Sequence, residues 1–128
     1  MQKQGTPEQW MNRVERDIQA AEFLGQAGFQ DNACFLCQQA VEKGLKALLI
    51  KKTGDFPKIH SLRDLAVKAE VFSELKDLIA DLDTDYAATR YFTAMEPGAE
   101  AGYTKKKFEK RFADAKRCLE LIRKWMKD

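Results

Sequence analysis

The stretch DNACFLCQQAVEKGLKALLIKKTG, from Asp31 to Gly54, offers apolar side chains in almost every direction around a helix axis. Ala33, Cys37, Ala40, Gly44 and Ala47 form a stripe of small residues at alternating steps of four and three. Cys34, Val41, Leu45 and Leu48 line a second face, and Phe35, Leu36 and Ile50 extend the apolar surface further round. A helix apolar on most sides belongs inside a bundle rather than on its surface. The small-residue seam lets a neighbouring backbone come close. The rest of the chain must therefore supply helices to surround this one.

It can do so. With 128 residues, 45% of them hydrophobic and 33% charged, the chain suits one core and one domain over residues 1–128. Thr6, Pro7 and Gln9 spell a helix start: an N-cap, a proline at the first helical position and a capping-box partner. Met11, Val14, Ile18, Ala21 and Gly25 follow on one face, and Gly28 suits a terminus with positive φ. Ser61 with Asp64 reads as a further start, with His60 just before the cap, packed over Leu65, and a short helix to about Glu70. From Phe72 to Phe92 the pattern predicts one helix, or two joined near Asp83, with Leu75, Leu78, Ile79 and Leu82 inward. MEPGAEAG, residues 95–102, reads as a connection. Thr104 caps the last helix, whose Phe108, Phe112, Ala115, Leu119, Ile122 and Met126 make a continuous stripe. No stretch sustains the alternation of a strand. The expected fold is all-α, an up-and-down bundle of about five helices.

The totals exclude several classes. No apolar run approaches the roughly 20 residues that cross a bilayer, and MQKQGTPEQW lacks the apolar core of a signal peptide. Three cysteines do not make a disulfide framework. A reduced, cytoplasmic protein without membrane contact is expected. Cys34 and Cys37 form a Cys-x-x-Cys pair, but a structural zinc needs four ligands, and Cys118 and His60 lack motif spacing. The pair reads as core packing, so no metal or cofactor is assigned.

A net charge of +2 conceals an asymmetry: residues 70–100 hold eight acids and two bases, residues 104–128 ten bases and four acids. Such surfaces can be two solvated helix faces, can pair two chains, or can turn the basic end toward phosphate.

Gln38, Gln39, Glu42, Lys43 and Lys46 interrupt the otherwise apolar central helix. Glu42 and Lys46 stand one turn apart in the favourable acid-before-base order. Spacing alone leaves open a solvated edge with one ion pair or a functional edge. His60 is the sole histidine and by itself completes neither a triad nor a metal site. Arg90 beside Tyr91, with Asp85 and Tyr86 a turn earlier, reads either as an ion-pair partner or as a bidentate phosphate fork. No glycine-rich phosphate loop or nucleophile elbow is present.

Taken in order, ACFLCQQAVEKGLKALLIKKTG, PKIHSL, DYAATRYF and the closing amphipathic helix resemble the HEPN family of small helical domains associated with nucleic acids and nucleotides. The resemblance spans about Glu8 to Trp125. It implies a helical bundle, commonly a homodimer, often partnered with a minimal nucleotidyltransferase in two-component or toxin–antitoxin systems. Many members are metal-independent ribonucleases with an Arg-x4–6-His motif, the histidine moving protons and the arginine stabilising phosphorane charge. Arg90 matches the motif arginine, but YFTAMEPG follows it without a histidine, and Tyr91 stands where a polar residue is usual. Cleavage is therefore not carried over, and no residue is assigned a catalytic role. The expected function is a non-catalytic protein that binds nucleotide or RNA through Arg90, Tyr91, Lys43, Lys46, Gln39, Glu42 and His60. The alternatives are an interaction module that binds no nucleotide, and a ribonuclease with a rearranged His60/Arg90 site.

Overall fold

The computed structural model describes residues 5–87 and 102–128, and within them the chain forms five α-helices and no strand. They are α1 (Pro7–Gln26), α2 (Gln30–Thr53), α3 (Leu62–Lys68), α4 (Phe72–Ala87) and α5 (Lys105–Lys127). The connection expected over residues 95–102 lies, apart from Gly102, outside the described residues, as do Arg90 and Tyr91.

The capping chemistry acts as the sequence predicts. The Thr6 hydroxyl accepts from the Gln9 amide at 3.1 Å, and the Gln9 side chain accepts from the Thr6 amide at 2.9 Å, closing the box at the start of α1. The Ser61 hydroxyl accepts from the Asp64 amide, and the Thr104 hydroxyl from the Lys107 amide. Gly28 (φ +97°) and Gly54 (φ +86°) take the left-handed conformation that ends α1 and α2. α2 starts one residue earlier than expected, at Gln30, with no side-chain cap from Phe29. Gln30 compensates by donating its side-chain amide to the Gly25 carbonyl, which ties the end of α1 to the start of α2. Residues 72–87 are one continuous helix, so no break occurs at Asp83.

α2 is the axis of the bundle. It packs against all four other helices, and around it α1 meets α5, α5 meets α4, and α4 meets α3. Ala33, Cys34, Cys37, Ala40, Val41, Leu45, Ala47 and Leu48 are all fully buried. Val14 and Ala21 from α1, Leu62 and Leu65 from α3, Leu75, Ile79 and Leu82 from α4, and Ala115, Cys118, Leu119 and Ile122 from α5 close over it. The small-residue seam serves the predicted close approach: a Cβ on Gly44 would lie 3.0 Å from Leu119 and 3.2 Å from Ile122. Thiols at positions 34, 37 and 118 are free and buried. Burial pushes Cys34 and Cys118 up to about 12 and Cys37 higher still. They fill core volume as small buried side chains, the packing role their place on the apolar faces of α2 and α5 suggests.

α1 and α5 meet most tightly at Gly25, where an added Cβ would fall 2.3 Å from the Phe108 ring. Phe108 is itself a core residue stacked on Phe112, so its ring has little room to retreat. Gly25→Ala is expected to cost about 1–2 kcal/mol net, overpacking outweighing the better helix propensity of alanine. Gly44→Ala, facing flexible side-chain ends, should stay within about 1 kcal/mol of wild type. Thermal melts of the two variants compare the sites directly.

Candidate functional site

Five of the seven residues expected to form a site are described, and three of them, Gln39, Lys46 and His60, gather on the carboxylate of a fourth, Glu42. Glu42 projects from the middle of α2 and is only 4% exposed. Its Oε2 accepts from the Lys46 ammonium at 2.8 Å and faces the Nδ1 of His60 at 3.1 Å. Its Oε1 accepts from the side-chain amides of Gln38 at 3.2 Å and Gln39 at 3.4 Å. Gln39 also donates to Gln38 Oε1, and Gln38 to the His60 carbonyl. Helical spacing brings residues 38, 42 and 46 onto one line of α2; the loop before α3 then lays His60 across its end. The open question of an exposed edge or a functional one is resolved in part: Gln38, Glu42 and Lys46 are a buried network. No buried side-chain nitrogen or oxygen among the described residues lacks a hydrogen-bond partner.

His60 is held on two sides. Its ring stacks on Tyr86 of α4, centroids 4.6 Å apart and planes 14° from parallel, and Tyr86 in turn leans on Phe35. The ring partner is thus an aromatic side chain of another helix. With a carboxylate oxygen at Nδ1, the proton of the neutral imidazole sits on Nδ1, leaving Nε2 as an acceptor on a side chain that is 54% exposed. Behind it, α3 is anchored by Asp83 of α4, whose carboxylate accepts from the amides of Leu62 and Arg63 at 2.7 and 3.3 Å. An acid reaching a helix N-terminus from a neighbouring helix satisfies two otherwise orphaned donors. Nothing local in the sequence announces that contact.

Charge matching limits what the lysines can do. Lys46 faces Glu42 and lies over the Phe56 ring at 5.2 Å. Lys43 sits apart from the cluster, 2.6 Å from Asp17 of α1. Each therefore already has a carboxylate partner. The basic last helix is likewise engaged within the chain: Arg111 Nε donates to Asp85 at 2.7 Å, its Nη1 lies 3.4 Å from Asp81, and the Tyr103 hydroxyl donates to Asp85 at 2.9 Å. Burial raises the Asp85 carboxyl, and the hydrogen bonds and charge of Arg111 with the Tyr103 hydrogen bond offset only part of that rise. Part of the acidic–basic asymmetry is thus satisfied between α4 and α5.

Among the described residues no group of three or more histidine, cysteine, aspartate or glutamate side chains is placed to hold a metal ion, and no helix is long and apolar enough to cross a membrane.

A HEPN domain family model matches residues 7–125. The chain belongs to the HEPN family. Two solved structures resemble it over nearly their whole lengths. One is ST0689, described as an archaeal HEPN homologue, with 27% identity, a TM-score of 0.81, and coverage of 95% of this chain and 98% of that one. The other is TT1696 from Thermus thermophilus, with 27% identity, a TM-score of 0.83, and coverage of 93% and 97%. No significant match is found among curated proteins. The resemblance drawn from the motif order, and the all-α bundle it implied, are borne out.

The buried ion pair sets a test of the network. Glu42→Gln leaves the Lys46 ammonium buried without an opposing charge, and is expected to cost about 3–5 kcal/mol. Replacing both partners, Glu42→Met with Lys46→Met, should recover much of that loss. Urea denaturation of the single and double variants measures the difference.

Proposed function

We propose that this HEPN domain binds a phosphate-bearing ligand, a nucleotide or RNA strand, without cleaving it, and acts as a homodimer alongside a nucleotidyltransferase-type partner in a two-component or toxin–antitoxin arrangement. The observation that carries the ligand reading is the way His60 is presented: a half-exposed imidazole fixed by Glu42 at Nδ1 and by Tyr86 across its face. Fixing a polar ring at the surface with a buried carboxylate lowers the entropy that a ligand contact must overcome. Arg90, four positions beyond Tyr86 in the sequence, is proposed to supply the guanidinium for phosphate, with Tyr91 beside it. Gln39, Glu42 and Lys46 then act by holding the histidine, and Lys43 stands apart on Asp17. The exposed rings of Phe23, near the end of α1, and Phe29, in the turn that follows, support a contact with a second protein surface.

One observation favours a second reading. A carboxylate at Nδ1 with an accessible Nε2 is the arrangement a proton carrier uses, so a metal-independent ribonuclease using His60 with Arg90 is the runner-up.

Fluorescence anisotropy with a short single-stranded RNA, and with ATP as competitor, checks the first reading between about 50 and 200 mM salt. Affinity is expected to fall with salt, because phosphate contacts release counterions. Arg90→Ala and His60→Ala should each weaken binding about tenfold, roughly 1.4 kcal/mol, and Arg90→Ala should flatten the salt slope by about 0.7. Wild-type affinity in both variants would discard the site. Cutting of the RNA in excess chelator by wild type, lost in His60→Ala, would promote the ribonuclease reading. Tight co-purification with a nucleotidyltransferase in the absence of any nucleotide binding would leave a docking role.

A further inference from the structure

We infer that the groove between the start of α1 and the middle of α2 is a subsite for a single nucleotide, with the base against Trp10 and the phosphate on Arg13. The groove encloses about 340 Å³ and is lined by Gly5, Gln9, Trp10, Arg13 and Lys43. That size lies at the small end of ligand sites, suiting one nucleotide unit rather than a helix of another protein. The inference takes its ligand class from the reading above. Its residues, however, are disjoint from His60, Tyr86 and Arg90.

Each wall has a defined chemistry. Trp10 meets Phe56 edge-to-face, centroids 5.2 Å apart at 81°, and Phe56 is in turn covered by the Lys46 ammonium. The loop after α2 therefore fixes the orientation of the indole. Gly5 lies close to the indole nitrogen: with φ +90°, a Cβ there would come within 3.4 Å of Trp10 Nε1 and 3.1 Å of Gln9 Oε1. Gln9 cannot swing away, because its carbonyl oxygen is held by the Thr6 amide in the capping box, which leaves its NH2 group to donate. Gln9 and Arg13 are one helical turn apart and so share a face of α1.

The charges select an anion. Lys43 is matched by Asp17, whereas Arg13 forms no ion pair with any described residue. Among the described lining residues this leaves the Arg13 guanidinium as the unmatched charge, and its planar fork binds phosphate oxygens in pairs. An aromatic wall beside an unmatched arginine favours a ligand that is flat at one end and anionic at the other. Stacking on an aromatic side chain tolerates any base, because every base has a π-face. The groove should accept purine and pyrimidine monophosphates alike.

The test uses the full chain with Trp125→Phe, which leaves Trp10 as the sole fluorophore of the two tryptophans. Adenosine 5′-monophosphate should quench its emission saturably, whereas inorganic phosphate at the same concentrations should not. Arg13→Ala, a surface change, should weaken the adenosine monophosphate response about tenfold, and Lys124→Ala, on the exposed face of α5 and outside the groove, should leave it unaltered. In the wild-type chain the indole N–H resonance of Trp10 should shift with the same titration curve, which covers the case in which the Trp125 variant folds poorly. Absence of a saturable response in both measurements, an unchanged response in Arg13→Ala, or an equal response to inorganic phosphate would overturn the subsite. A response abolished by His60→Ala instead would also overturn it, while placing the nucleotide at the histidine. Conversely, an Arg13-dependent response in a protein whose RNA binding ignores His60 and Arg90 would keep the subsite and refute the earlier site.

Discussion

A carboxylate inside a helical bundle is the constraint from which the rest of this site follows. Glu42 lies on the helix that every other helix touches, and its 4% exposure denies it the hydration that stabilises a free carboxylate. A buried charge of that kind persists only with an opposing charge and enough donors to fill its lone pairs. Lys46 supplies the charge; Gln38, Gln39 and His60 supply the donors. The demand is met from two directions, one turn of α2 on either side and the loop ahead of α3. Because the loop must deliver Nδ1 to within hydrogen-bond reach, the chain between α2 and α3 is fixed along with the imidazole. Replacing the cluster by apolar side chains would fill the same volume with less desolvation, yet it would take away the carboxylate that fixes Nδ1 of the histidine.

The helices were legible in the sequence because their signals are local. Thr6 with Pro7 and Gln9, Ser61 with Asp64, and Thr104 lie within one turn of the amides they cap, and glycine at positions 28 and 54 answers a backbone requirement of its own residue. Even the central place of α2 could be read, since a helix apolar on most sides has few other places to go. The site was legible only in part. Glu42 and Lys46 announce each other by spacing, but the contacts that give them meaning come from residues far along the chain. His60 comes from 18 positions away, and Asp83 reaches α3 from about 20. Trp10 meets Phe56, and Arg13 lines a groove with Lys43, only once the chain is folded, so periodicity gave no reason to single out Trp10, Arg13 or Phe56. The motif order carried more information than any single spacing, because it reflects the whole fold at once.

The two ends of the acidic–basic contrast show why a linear charge count misleads. Counted along the chain, α5 looks like a free basic surface and α4 like its acidic counterpart. In three dimensions Arg111 is almost wholly enclosed and shares Asp85 with Tyr103. Asp85 precedes, and Tyr103 follows, the stretch of residues 88–101, so one buried carboxylate joins the two described segments that flank it. The interaction is costly to half-make, because removing one partner would strand the other in a low-dielectric interior. Its position between α4 and α5 makes it a constraint on how those helices meet rather than a source of free positive charge.

The same charge matching decides where an anion can be held. Lys43 and Lys46 face Asp17 and Glu42, and Arg111 faces Asp81 and Asp85. A phosphate that displaced Asp17, Glu42 or Asp85 would have to leave a buried or half-buried acid without its partner, which costs more than one exposed phosphate contact returns. Binding must then rely on cations and donors that are not already matched, and on rings whose orientation the fold has set. Phe56 lies between two such places, touching Trp10 on one side and lying beneath Lys46 on the other. The buried pair of α2 thus shapes both: it anchors the imidazole through Glu42 and, through Lys46 and Phe56, braces the indole. The central charges of this domain serve to keep the rings at its periphery in place.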